Sequence, residues 1–454
     1  MSAPALPAET ALARFAADAA SLAVPERVLS EGRRSLLNMF ATALAGSGEP
    51  AIDIAASVLT PFAGPATCGV IGRPDRTDLP TAAFLNAASA NIFDFDDTHP
   101  GTIIHPTAPV APVLLALAET RHMTGADLLR AFIIGAEVEC RLGLAVSPDH
   151  YARGWHITST CGVVGAAVAA SVALGLDERR IGWAIANACG QSAGMVETLG
   201  TMTKSLSVGN AARGGLLAAL LAEKGFSGPD APLTGQRGIL HLYADAPHAK
   251  ALSQDLGTRW DFADNTYKPY PVGVVLNPVI DAAAVLQSDG VRLSDIADIT
   301  LRGHPLLRQR ADRPDVATGR EAQVSAQHAF AVALSGEVGL ADFTDDAVIG
   351  TLKTGRPAMT FEDDADMDIG AVALTARMAD GTERQVTITA ARGSTDNPMT
   401  NAQIEDKLRA LAEYRGVTWD TQPLIDAVWS LDTLPDAARL AALACRAPMA
   451  EVAA

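Results

Sequence analysis

Between residues 8 and 224 the chain strings together stretches that are apolar at helical spacing or apolar throughout: 8–22, 25–46, 50–59, 80–93, 107–121, 125–146, 158–174, 178–193 and 208–224. That period, sustained over so many consecutive segments, predicts helix packed on helix rather than an extended sheet. Most breaks between the stretches carry Gly, Pro or Asp. Asp78 and Pro80 mark one helix start, and Thr124 with Asp127 marks another. Apolar residues make up 48% of the chain but aromatic ones only 5%, so the helices present small side chains and are expected to approach closely.

The texture changes after about residue 265. Ile296–Arg302 alternates as a strand does, and Val372–Met378 and Gln385–Ala390 flank Asp380-Gly381, a hairpin signal. Helical spacing returns at about 275–287, 321–336 and 344–352, and again over Asn401–Ala444. The chain of 454 residues exceeds the ~250–300 that one core supports. The expected fold is therefore mainly α. A large all-α domain comes from both chain ends, residues 1–265 and 398–454, and a smaller α+β unit, residues 266–397, is inserted as a lid.

The net charge is −17, which excludes nucleic-acid and anionic-membrane partners, since both need a basic face. An acidic protein that takes a polyanion must gather its few cations locally. Cys68, Cys140, Cys161, Cys189 and Cys445 are odd in number and form no C-x-x-C pair, which fits reduced cysteines and a cytoplasmic location. No basic n-region precedes an apolar h-region, so no signal peptide is expected. The longest apolar run, Cys161–Leu176, is too short to span a bilayer and reads as a buried helix.

Four segments carry chemistry. Residues 91–106 place three carboxylates, Asp94, Asp96 and Asp97, and two imidazoles, His99 and His105, between apolar helices. Carboxylates so placed are costly unless paired, and the density of titratable groups favours acid–base work over a plain polar helix end. A divalent cation is the competing use. The first domain has no second carboxylate cluster to complete an oxygen cage, so no metal is expected. In Tyr151–Thr160, His156 and Thr158 stand at a helix N-terminus, a position suited to a carboxylate and equally to a capping Thr beside a core His. In Glu197–Arg213, Lys204 is the cation of a polar loop that enters a helix near Val208; alone it reads as a solvated lysine. In Tyr267-Lys268-Pro269-Tyr270-Pro271 the prolines stiffen the backbone around Lys268 and Tyr270 at the expected domain junction.

Taken together these segments resemble the MmgE/PrpD family of 2-methylcitrate dehydratases, cis-aconitate decarboxylases and iminodisuccinate epimerases. The residues carrying the resemblance are Asp94-Phe-Asp-Asp-Thr98, His105-Pro106, Gly154-Trp-His156, Thr203-Lys204 with Gly209-Asn-Ala-Ala-Arg213, and Lys268-Pro-Tyr-Pro271. The resemblance implies a helical domain with an α+β lid, a homodimer, and a cofactor-free, metal-independent lyase acting on a small polycarboxylate. It implies Asp94, His105 and His156 as catalytic residues and Thr98, Lys204 and Lys268 as substrate contacts; Tyr270 joins these by its place in the stiffened segment. Dehydration is the expected reaction, with decarboxylation and epimerisation as alternatives. A histidine that some relatives carry after the last segment is replaced here, with Asn277 the first place to look and Gly273 the second. That departure keeps open a binding protein without turnover.

Overall fold

The structure is a computed structural model that describes residues 7–414 and 419–445. The ends of the expected first and last segments, 1–6 and 446–454, lie outside the described residues, as does the 415–418 part of the expected final helical stretch. The chain divides into two compact units, Met1–Asn265 with Asn401–Ala454, and Thr266–Thr400. No helix among the described residues is long and apolar enough to cross a membrane.

The fold is mixed, about 58% helix and 10% strand with several small sheets, and this corrects the expectation of an all-α large domain. Residues 60–78 explain part of the correction. Gly64, Pro65, Gly69, Gly72 and Pro74 leave no helix there beyond the 3-10 turn Thr60–Phe62. The backbone instead pairs with itself: β1 (Cys68–Gly69) lies antiparallel to β2 (Arg76–Thr77). The turn between them passes through Gly72 at φ +73°, where a Cβ would lie 2.2 Å from Ser47 Oγ.

The large unit is otherwise built of helices. Those that position the site are α1 (Glu26–Gly46), α2 (Leu79–Asn91), α3 (Thr107–Thr120), α4 (Gly125–Val146), α5 (Ile157–Ala173) and α6 (Met202–Glu223). Their starts follow from the chain's own chemistry. Asp78 accepts from Thr81 N at 2.9 Å to cap α2, and Thr124 and Asp127 form a reciprocal capping box on α4. The low aromatic content has its counterpart in how α4, α5 and α6 meet. A Cβ on Gly135 of α4 would lie 2.6 Å from the Gly165 carbonyl of α5, and one on Gly215 of α6 would lie 2.6 Å from the Val163 carbonyl. Glycine at these points lets helix backbones touch.

The second unit packs α7 (Asn277–Ser288) and α8 (Ala326–Ser335) with a four-stranded sheet around one apolar core that includes Leu276, Val279, Phe330, Leu301 and Leu374. Its strands are β3 (Ile296–Gly303), β4 (Ala358–Asp363), β5 (Val372–Met378) and β6 (Glu383–Ile388), in the order β4-β3-β5-β6. β4 runs parallel to β3, and the other pairs are antiparallel. Gly381, at φ +87°, turns β5 into β6.

Candidate active site

The acidic segment begins where α2 ends. Asp94 N donates to Asn91 O at 3.1 Å, and Asp94 adopts φ +54°, a left-handed conformation that Asp tolerates better than most residues. The next residue is anchored from far along the chain. Lys407, on the helix Asn401–Glu413, donates to the Phe95 carbonyl at 2.7 Å and to Asn38 Oδ1 at 2.8 Å, with its ammonium over the Phe95 ring. After the extended Asp97–Thr98, His99 N donates to Ile104 O at 2.8 Å across a tight turn with Ile103 at φ +59°. That turn folds His105 back beside Asp97.

His105 is held on both sides of its ring. Its Nδ1 lies 2.7 Å from the Asp97 carbonyl oxygen. A carbonyl only accepts, so Nδ1 carries a proton and Nε2 is the nitrogen left to exchange one. Asp96 Oδ1 at 3.3 Å and Thr98 Oγ1 at 3.4 Å flank the same Nδ1. Nε2 stands 3.3 Å from Asp94 Oδ1, and Lys204 Nζ reaches that oxygen at 2.5 Å. The main chain is fixed as well, since His105 N donates to Thr158 Oγ1 at 3.2 Å. Lys204 lies in the first turn of α6, which starts at Met202 and not near Val208 as the loop reading supposed. Thr201 caps that turn by accepting from Thr203 N.

His156 is the N-cap residue of α5 and is buried. Its Nδ1 lies 3.1 Å from Ser159 Oγ and 3.4 Å from Ser207 Oγ, one turn beyond Lys204 on α6. Burial, then the neighbouring charges of Lys204 and His105, push its pKa down to about 3. His156 is thus a neutral imidazole near the Lys204 ammonium. The structure brings Asp94, Thr98, His105, His156 and Lys204 together in the large unit. Lys268 and Tyr270 belong to the second unit. There the Tyr270 hydroxyl donates to Asp281 Oδ1 at 2.7 Å and accepts from Arg392 Nη2 at 2.5 Å; burial and the Asp281 charge push the phenol above its ordinary range. Asn277 opens α7, buried, with Oδ1 lacking a hydrogen-bond partner.

Under His105 lies a layer of carboxyl groups with few donors. Asp96 Oδ2 accepts from Asn91 Nδ2 at 2.7 Å, while Asp96 Oδ1 has no hydrogen bond. Asp97 Oδ2 accepts from Asn265 Nδ2 at 2.7 Å and from Thr107 Oγ1, leaving Oδ1 without a partner. Burial and the neighbouring Asp96 raise Asp97 to about 6. Glu139 on α4 is wholly buried with both oxygens unpartnered, in space left by Gly162 and Gly165 of α5; burial raises its pKa well above the ordinary value. Asp94, Asp96 and His105 also bring one potential ligand atom each within 4.8 Å of one another, a spacing a small cation could use.

Thr107, Asn265 and Lys407 were not legible as site residues. All three are common residue types in ordinary polar or helical surroundings, and Asn265 and Lys407 reach the site from 168 and 312 positions away.

Residues 10–251 match the MmgE/PrpD N-terminal domain and residues 270–433 the MmgE/PrpD C-terminal domain. Human cis-aconitate decarboxylase is 30% identical over 92% of this chain and 90% of its own length. The mouse cis-aconitate decarboxylase is 29% identical over 92% and 89%, and that of Aspergillus terreus is 30% identical over 47% and 45%. With both domain types matched in order across most of its length, and a relative similar almost end to end, the chain belongs to the MmgE/PrpD family.

Proposed function

We propose that this chain is a cofactor-free lyase of a small polycarboxylate, with His105 moving the proton and Lys204 and Lys268 meeting substrate carboxylates. The observation that carries the reading is the oriented ring of His105. Its Nδ1 is spent on the Asp97 carbonyl at 2.7 Å, and its Nε2 faces Asp94 and, through it, the buried ammonium of Lys204. A ring so oriented can take or give a proton at Nε2, and an ammonium in a low-dielectric site offsets the negative charge that develops beside a carboxylate.

Decarboxylation of a cis-aconitate-like acid is the first reading, supported by the activity for which the relatives are named. The bond from carbon to the departing carboxylate breaks, and carbon dioxide leaves. The electron pair spreads through the neighbouring double bond toward a second carboxylate, and His105, having taken a proton at Nε2 from solvent, delivers it to carbon. Dehydration of a 2-methylcitrate-like acid, placed first on sequence, is the second reading. It is favoured by the pairing of His105 with Lys204 through Asp94, because elimination of water needs a base for the C–H and a donor for the departing hydroxyl, and an imidazole and an ammonium supply both.

Metal independence belongs to the proposal. The Lys204 ammonium already occupies the place beside Asp94 Oδ1 that a divalent ion would take, and Asp94 and Asp96 address opposite nitrogens of His105. We also read the chain as a cytoplasmic homodimer. Its cysteines are unpaired, and Ile54, Val58, Met202 and Leu206 expose apolar surface around a cavity of about 380 Å³ in the large unit. Sedimentation velocity tests the dimer; a monomer at micromolar concentration would refute it.

The deciding experiment offers cis-aconitate, 2-methylcitrate, citrate and iminodisuccinate separately to the purified protein in deuterated buffer and follows products by NMR, before and after chelation. Carbon dioxide loss from cis-aconitate that survives chelation is expected. Binding with no turnover of any acid would replace the enzyme with a carboxylate-binding protein.

A further inference from the structure

We propose that Asp97 is a positioning residue, which clamps the His105-Pro106-Thr107 turn and thereby fixes which imidazole nitrogen the site offers. The inference rests on His105 being the proton-transfer group. Asp97 grips the turn twice. Its main-chain carbonyl takes His105 Nδ1 at 2.7 Å, and its carboxylate takes the hydroxyl of Thr107, two residues further on. The same carboxylate oxygen accepts from Asn265 Nδ2 at 2.7 Å, and that amide also reaches Ser35 Oγ on α1 at 3.1 Å. The clamp is thus tied to α1 and to the start of α3. Proline at position 106 stiffens the turn between the two gripped residues.

A free imidazole chooses between two tautomers of similar energy, so a carbonyl at fixed distance decides which nitrogen keeps its proton. Without the carboxylate grip, the Asp97 carbonyl has no side-chain tie to hold it under His105. Nδ1 then loses its acceptor and Nε2–H competes. The pattern of satisfied atoms separates charge from geometry. Asp97 Oδ1 has no partner while Oδ2 serves both donors. Asparagine can therefore present its single oxygen to Thr107 and Asn265 and put its amide where Oδ1 now lies, whereas alanine cannot.

The test compares Asp97→Asn and Asp97→Ala in the full chain by two readouts. The first is the 15N chemical shifts of the His105 ring without any substrate, assigned by difference against His105→Gln. The second is kcat and KM for cis-aconitate. Asp97→Ala is expected to move the ring signals toward the Nε2–H tautomer and to lower kcat by about tenfold to a hundredfold with KM within about threefold. Asp97→Asn should keep the wild-type ring signals and most of kcat. Should Asp97→Ala not fold, Thr107→Val, which cuts one grip only, is compared with Asp97→Asn in its place. Wild-type ring signals in folded Asp97→Ala (or its substitute), or loss of those signals in Asp97→Asn as well, would overturn the clamp. Because the ring signals need no turnover, the clamp is judged even if cis-aconitate proves not to be the substrate.

Discussion

Two of the sets of charged side chains that the large unit buries are finished to different standards. On α4, Arg141 has no solvent exposure, and its N–H groups reach Glu137 Oε1 at 2.6 Å, the carbonyls of Ala251 and Gln254 at 3.0 and 2.7 Å, and that of Arg259 at 2.9 Å. Glu137 spends its other oxygen on Phe262 N at 2.9 Å. Around His105 the contacts are looser. Its carboxylate contacts stand at 3.3 Å, Asp96 and Asp97 each keep an oxygen without a partner, and the Asp94 side chain is 41% exposed. A buried ion pair that serves architecture satisfies its donors and acceptors, since an unmet one costs about 1–3 kcal/mol. A set that keeps groups in reserve has spare capacity for something not part of the fold.

The contrast breaks most visibly at His105. His105→Ala is expected to lower turnover by ~10²–10⁴-fold while the substrate still binds and the melting temperature holds. Lys268→Ala should instead lower kcat and raise KM together, because it meets a carboxylate charged in both ground and transition states. Steady-state kinetics with a binding isotherm for each variant checks this, and a folded His105→Ala protein with near-normal turnover would defeat the assignment. Arg141→Met should do the reverse. It strands Glu137 and several carbonyls, at a cost of about 3–5 kcal/mol in urea unfolding, and whatever remains folded should keep its kcat per active molecule. A kcat loss out of proportion to unfolding would erase the distinction between the two sets.

The smallest effect sharpens the comparison from the acid side. Glu139 has a folded pKa above its ordinary 4.5, so above that pH the folded state must keep a proton that the unfolded chain gives up. The proton it holds therefore costs stability increasingly as pH rises, and this pH-dependent cost disappears below about 4.5, where both states are protonated. Glu139→Gln should raise Tm by a few degrees at pH 7.5, with the gain fading by pH 4.5 in calorimetric scans. A gain independent of pH would point to packing instead of the proton.

Asp94, His105 and Lys204 were legible because carboxylates and imidazoles packed between apolar helices must find partners close by, and an acidic chain has few lysines to spend. What could not be read was set by distant packing. The charge state of His156 was not legible, because it is the depth at which α5 starts that makes it neutral. Lys407 sits in a helix whose pattern gives no reason to expect a contact with Phe95. The helices of the large unit declared themselves by their period, as did Asp380-Gly381 as a turn. β1 and β2 are two residues each, too short to show any period. β4 was missed because Ala358–Asp363 turns only two residues, Met359 and Phe361, toward the core, too short an alternation to stand out as a period.

The left-handed backbone at Asp94 bears on which variants of this chain can exist at all. At φ +54° most side chains meet a penalty of about 1–2 kcal/mol, which Gly escapes and Asn and Asp largely avoid. Among those three only aspartate carries a charge to set against Lys204. In a saturation library at this position, glycine and asparagine should populate a class that keeps its stability and does nothing, while the remaining residues lose the chemistry and about 1–2 kcal/mol of stability as well. Two unrelated filters, one steric and one electrostatic, thus intersect at a single residue type, and the codon has almost nowhere to drift.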